Sequence, residues 1–212
     1  MIYFTSVYED EPTHQVMLKL YNYFQGCFYE AFAIPCHGKG KIKKQITAYN
    51  QAAQHGYYFV ITDLDNKYAC APLLIKDWLP DLASNQLLFR IAVQEIESWL
   101  LADRDNFAAF FSVNINLIPL KPDDEINPKH TVISLAKKSR KREIREAIVP
   151  IDAYVKNGPG YNTQFQKYIE NHWNIDSARK NSPSLDRAIK SLEKIACPKM
   201  KKNKKDDSSG IK

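Results

Sequence analysis

Residues 57–66, YYFVITDLDN, constrain this chain more than any other stretch. β-Branched and aromatic side chains run on almost without interruption and then give way to two aspartates. That is the pattern of a strand buried on both faces, as in a parallel sheet covered by helices. Asp63 and Asp65 fall where the strand should end. If the chain is still extended there, alternation puts both carboxylates on one side and Leu64 on the other. In open α/β sheets the crevice at the carboxyl ends of the strands is where ligands bind. Two acids held close together raise each other's pKa unless a cation neutralises them, and a hard ion such as Mg²⁺ suits carboxylate oxygen. The same D-x-D also caps helices and shapes turns, so the rest of the chain has to decide between the two readings.

Strand and helix signals alternate on either side of this segment. Ile2 to Val7 reads as a first strand, followed by Glu9, Asp10 and Glu11 and by Pro12 at a helix start. A helix over 13–25 carries Val16, Met17, Leu20 and Phe24 at helical spacing. Residues 30–35 read as a second strand, 41–55 as a second helix, and 68–79 as a third helix after the central strand. Residues 86–93, QLLFRIAV, make a fourth strand, and one apolar helix is expected from Gln94 to Phe111. Strands and helices alternating at this spacing imply βαβ units. The expected fold is α/β, with a mostly parallel, Rossmann-like sheet of about four strands and a C-terminal helical extension. The divisions are a core at 1–112, an extension at 113–197 and a basic tail at 198–212.

Carboxylates therefore follow three expected strand ends: Glu9 with its neighbours, then Asp63 and Asp65, then Glu95 and Glu97. In a parallel sheet these ends share one edge. So many negative charges in one place cost stability unless cations join them. Glu9, Asp63, Asp65, Glu95 and Glu97 are the candidate ligands for Mg²⁺ or Mn²⁺.

The blocks V-Y-E-D-E, T-D-L-D-N and R-I-A-V-Q-E-I-E-S-W-L-L-A-D carry a likeness, joined by N-P-K-H, G-P-G-Y-N and S-P-S-L. Over most of residues 1–198 the chain resembles a family of uncharacterised bacterial Toprim-fold proteins. These are similar to OLD-type nucleases and are often encoded beside AAA- or ABC-type ATPases in suspected phage-defence operons. The resemblance implies that Glu9 matches the glutamate after the first strand and that Asp63 and Asp65 match the aspartate pair. It also implies that these acids hold Mg²⁺ for phosphodiester chemistry, and it suggests an ATPase as partner.

Beyond Phe111 the signals loosen. Residues 112–130 read as a long surface connection in which Lys129 stands out as a candidate phosphate contact. A helix over 131–148 carries Lys137, Lys138 and Lys141 among other basic residues, either as a solvated face or as a nucleic-acid backbone contact. NGPGYN at 157–162 is a turn by composition. Helices are expected at 163–173 and from Ser182 onward. The net charge of +6 resides mostly in the tail, whose six lysines against two aspartates account for +4, so it does not mark the folded part as a nucleic-acid binder. Cys27, Cys36, Cys70 and Cys197 show neither paired nor zinc-ligand spacing. They read as reduced thiols of a cytoplasmic protein.

The function expected from residues and resemblance together is Mg²⁺-dependent cleavage of nucleic-acid phosphodiesters. Glu9, Asp63, Asp65 and Glu97 would be its catalytic acids, and the protein would act as an anti-phage effector with an ATPase. The alternative is a non-catalytic module of the same fold that docks on that ATPase.

Overall fold

The structure is a computed structural model that describes residues 1–152 and 154–196. Four strands, β1 (Ile2–Tyr8), β2 (Phe28–Pro35), β3 (Tyr57–Asp63) and β4 (Leu87–Ala92), form one all-parallel sheet in the order β2-β1-β3-β4. Helix α1 (Glu11–Tyr23) links β1 to β2. Helix α2 (Lys39–Ala52) carries the chain back past β1 to β3, and α3 (Ala71–Trp78) leads on to β4. The direction of travel along the sheet reverses after β2. Right-handed crossovers then place α1 on one face and α2 with α3 on the other.

The strand side chains divide accordingly. Val7, Val60, Phe89 and Ile91 pack with Ile42 and Ile46 of α2 and with Leu74 and Trp78 of α3. Phe4, Phe59, Ile61 and Leu88 face Val16, Met17 and Leu20 of α1. That second cluster continues without a break into the helices that follow β4. These are α4 (Ile96–Leu101), α5 (Arg104–Phe111), α6 (Pro128–Lys137), α7 (Arg142–Ile148), α8 (Tyr161–Asn171), α9 (Ile175–Asn181) and α10 (Pro183–Ile195). Trp99 sits at its centre, fully buried. Its indole N–H donates to Ser184 Oγ at 2.6 Å, and its carbonyl accepts from Trp173 Nε1 at 3.1 Å.

The α/β class and the four-stranded parallel sheet agree with the sequence reading, and several boundaries do not. The single helix expected over 94–111 is two helices, broken at Asp103. This residue is fully buried, and its Oδ2 accepts from Asn106 Nδ2 at 2.8 Å and from the backbone N–H of Asn174 at 2.7 Å. An acid with such a long-range partner terminates a helix that local periodicity would continue. The helix expected over 131–148 also splits, at Ser139. That side chain takes the N–H of Lys141 at 3.0 Å and donates to the Phe111 carbonyl. Helix α9 was not expected at all. Its cap is Asn174, which accepts from Ser177 N at 2.9 Å. The expected basic tail and Cys197 lie outside the described residues, and among those residues Cys27, Cys36 and Cys70 form no disulfide. No helix among the described residues is long and apolar enough to cross a membrane.

Trp99→Phe removes the indole donor and leaves a buried gap. It should destabilise the fold by about 2–4 kcal/mol in urea denaturation. An unchanged midpoint would deny Trp99 its central place.

Candidate metal centre

The sheet order makes the gap between β1 and β3 a topological switch point, because β2 and β4 lie on opposite sides of that pair. Ligand crevices form there in open α/β sheets. Val7 is in register with Val60, so the residue two places on, Glu9, arrives level with Thr62. Its Oε1 accepts from the Thr62 hydroxyl and from the backbone N–H of Asp63 at 3.1 Å. The neighbouring acids are employed differently. Asp10 caps α1, its Oδ1 accepting from Thr13 N at 3.1 Å and Thr13 Oγ1 at 2.7 Å. Glu11 is exposed and accepts from Gln15 Nε2 at 2.6 Å. Of the acidic trio it is Glu9 that is bonded across to β3.

Asp63 ends β3 opposite Ala92 of β4. It is half-buried, and its carboxylate accepts no hydrogen bond among the described residues. Asp65 behaves otherwise. The strand stops at Asp63, Leu64 adopts helical dihedrals, and Asp65 takes a positive φ of 49° to open a 3₁₀ turn. The extended alternation that would put both aspartates on one side is therefore lost. Asp65 pairs with Lys39 at the start of α2. Leu64 fills the core beside α2 and α3, which is what pulls the backbone out of the strand.

The chain past β4 supplies the other side of the crevice. Glu95 precedes α4, and its Oε2 accepts the backbone N–H of Lys129 at 2.8 Å. Glu97 lies in the first turn of α4 and is fully buried. Its Oε1 accepts from the Tyr161 hydroxyl at 2.7 Å and lies 3.2 Å from the Lys129 ammonium. Its Oε2 is buried with no partner. Lys129 Nζ also stands 5.7 Å from the centre of the Tyr161 ring.

Both supporting groups are positioned from a distance. Asn127 caps α6 by accepting from His130 N at 2.9 Å, with Pro128 in the first turn, so Lys129 is presented at a fixed helix start. Tyr161 follows a turn pressed against α7. Gly158 N donates to Ile148 O at 3.0 Å and Gly160 N to Ala147 O at 2.9 Å. A Cβ on Gly158 would come within 2.4 Å of the Ala147 carbonyl oxygen, so only glycine permits this approach.

The charges do not balance. Glu9, Asp10, Asp63, Glu95 and Glu97 act electrostatically within one cluster around the ammonium of Lys129, and Asp65, paired with Lys39, acts on Glu9 from its margin. Burial pushes the Glu9 carboxyl up against the hydrogen bonds from Thr62 and Asp63, and Asp10 and Asp65 add to the rise. Asp63 is driven well up by burial, then by Glu97, Glu9 and Asp10, with Lys129 opposing. Glu97 is raised by burial despite Lys129. Burial alone would depress the Lys129 ammonium. The field of Glu97, Asp10, Asp63 and Glu95 overrides it and drives the pKa up. Burial is the first cause of the rise in all three carboxyls, and neighbouring acids add to it. Carboxylate oxygens of this kind would suit a hard cation. Among the described residues no three such groups already stand in a ligating arrangement. Asp63, Glu9 and the free oxygen of Glu97 are the groups that would close on an ion.

The remaining sequence candidates divide. Lys129 is part of the acidic site rather than an exposed loop lysine. Lys137 and Lys138 are exposed, roughly 12 Å from Lys129 along α6 at helical rise. Lys141 donates to the Phe110 carbonyl at 2.9 Å. Sequence reasoning missed Tyr161, although G-P-G-Y had been singled out as a turn; two glycines closing on a tyrosine were the available signal. Thr62 gave none beyond its place before Asp63. No family model, curated protein or solved structure matches this chain.

Lys129→Met strips the cluster of its ammonium and leaves Glu97 uncompensated. It should cost about 3–5 kcal/mol in urea denaturation without divalent ions. A loss below about 1 kcal/mol would show that the pair does not hold the site together.

Proposed function

We propose that this chain is a divalent-metal-dependent nuclease, with Glu9, Asp63 and Glu97 as the principal metal-holding acids and Glu95 as a flanking one. The observation that carries the reading is the free, fully buried Oε2 of Glu97, set in a crevice whose carboxylates exceed its cations. A native interior rarely leaves such an oxygen unpaired unless something else occupies it. Mg²⁺ or Mn²⁺ bound there would supply Lewis-acid stabilisation of a phosphodiester and an activated water.

The chain's own groups have separate tasks. Thr62 and the Asp63 N–H aim Glu9 at β3. Tyr161 and Lys129 hold one oxygen of Glu97 and leave the other for the ion. The half-exposed Asp63 is the acid best placed to meet substrate and metal together. Asp65 belongs to the outer rim, where Lys39 holds it. The likeness to Toprim proteins extends the proposal to nucleic acid as substrate and to an AAA- or ABC-type ATPase as partner in anti-phage defence. Lys137, Lys138 and Lys141 are then peripheral backbone contacts.

A second reading has an observation of its own. Lys129 already lies against Glu97, and Lys39 against Asp65, much as structural ion pairs do. In that reading the chain is a docking module for the ATPase and the acids only fix the fold.

Incubation with DNA and RNA in Mg²⁺ or Mn²⁺, with and without ATPase encoded alongside, separates the two. The nuclease reading expects cleavage that falls at least about 100-fold in Asp63→Asn and in Glu97→Gln, and less in Asp65→Asn. No cleavage under any of these conditions, with partner binding intact in all three variants, would leave the docking module. Mn²⁺ at about 100 times its Kd should add roughly 2.7 kcal/mol of stability, and that gain should vanish in Asp63→Asn.

A further inference from the structure

A second cavity opens along the free edge of β4, between the start of α3 and α10, with a volume of about 690 Å³. That is within the range of small-molecule sites. Its inner end is lined by Leu64 and Gln94, the chain neighbours of Asp63 and Glu95, so it adjoins the acidic crevice. Phe89 and Ile75 give it an apolar wall, and Arg90 and Arg187 also line it.

The two arginines are the unexpected feature. Arg90 is half-buried on the edge strand, and Arg187 projects from α10 close enough to act on it as a like charge. Burial first, then Arg187, hold the Arg90 guanidinium below its usual pKa. Among the described residues neither arginine forms an ion pair. Arg90 makes one side-chain hydrogen bond, from Nε to Ser191 Oγ at 2.9 Å, which leaves its terminal nitrogens unspent. The acid facing the pair is Asp123, which feels Arg187. Its oxygens are taken by the Ser182 hydroxyl at 2.7 Å and the Ser184 N–H at 2.8 Å. Asp124 stands exposed at the rim. Gln94 adds a buried Oε1 with no partner, an acceptor that awaits a donor.

We propose that this cavity binds a nucleotide, its phosphate held by Arg90 and Arg187 and its base or sugar lying against Phe89 and Ile75. Two adjacent guanidiniums call for a doubly charged anion, which a phosphomonoester is and a carboxylate is not. A nucleotide also carries the O–H and N–H donors that the Gln94 acceptor lacks. An apolar wall beside the charge has no use for a bare inorganic ion. Anion binding needs no divalent metal, so this proposal and the nuclease reading can fail separately.

The test is calorimetric titration of the full chain in EDTA with AMP, inorganic phosphate and adenosine. AMP should bind at least about tenfold more tightly than either of the others. Arg187→Gln, an exposed substitution, should weaken AMP about tenfold, and Arg90→Gln at least as much, with circular dichroism and melting temperature recorded for both. AMP binding that is undetectable in the wild-type protein, equal to that of inorganic phosphate, or unchanged in Arg187→Gln would overturn the proposal.

Discussion

The carboxylate of Glu97 is the constraint around which the C-terminal half is arranged. It is fully buried in the first turn of α4, and a bare charge there would be untenable. Tyr161 reaches it from α8 and Lys129 from α6, across sequence separations of 64 and 32 residues. Helix α6 is tied a second time through Glu95, which accepts the Lys129 N–H. The glycine turn before α8 then has to press against α7 so that Tyr161 arrives at the right depth. The helices beyond β4 are therefore fixed to the sheet edge by polar contacts to one acid as well as by their apolar faces. At an effective dielectric of about 20, charges 4 Å apart interact by about 4 kcal/mol. That is enough for one misplaced partner to matter to a marginally stable domain.

How much of this could be read from sequence follows the range of the interactions concerned. The strand over 57–63 and its helical neighbours were legible because a parallel strand buried on both faces leaves a continuous apolar run. That Glu9, Asp63 and Glu97 would lie near one another was legible because acids after strand ends gather on one edge in a parallel sheet. Asp65 was misjudged, since the expectation rested on two-residue alternation continuing past the strand. The burial of Leu64 turned the backbone and sent that carboxylate to Lys39. The helix breaks at Asp103 and Ser139 were invisible for a related reason. In both cases a side chain bonds to a segment far away in sequence, Asn174 or Phe111, and no local period records that.

The sequence blocks singled out above also converge in space, which their order along the chain does not require. T-D-L-D-N provides Thr62 and Asp63, V-Y-E-D-E provides Glu9, and Q-E-I-E provides Glu95 and Glu97. N-P-K-H provides Lys129 and G-P-G-Y-N provides Tyr161, both at Glu97. S-P-S-L provides Ser184, which accepts from Trp99, two residues past Glu97. One turn and one helix start thus serve Glu97, and a second helix start serves its neighbour Trp99. Packing alone would favour apolar residues at such points, because a buried ion pair is seldom more stable than a well-packed hydrophobic replacement.

That preference bears on what the lysine is doing. A network kept only for stability would be expected to pair most of its buried oxygens, although Asp103 Oδ1, at the break between α4 and α5, is also without a partner. Here the pairing stops one oxygen short at Glu97 and leaves Asp63 without a donor. Lys129 offsets part of the field of Glu97, Asp63, Asp10 and Glu95, and in the nuclease reading the remainder would be met by the ion. On the far side of Gln94, Arg90 and Arg187 form no ion pair among the described residues, although Asp123 and Asp124 line the same cavity. An acidic crevice next to a cavity that presents two arginines, divided by one turn of chain after β4, is an arrangement that would suit a ligand carrying both metal-seeking and arginine-seeking oxygens. Phosphate esters have both.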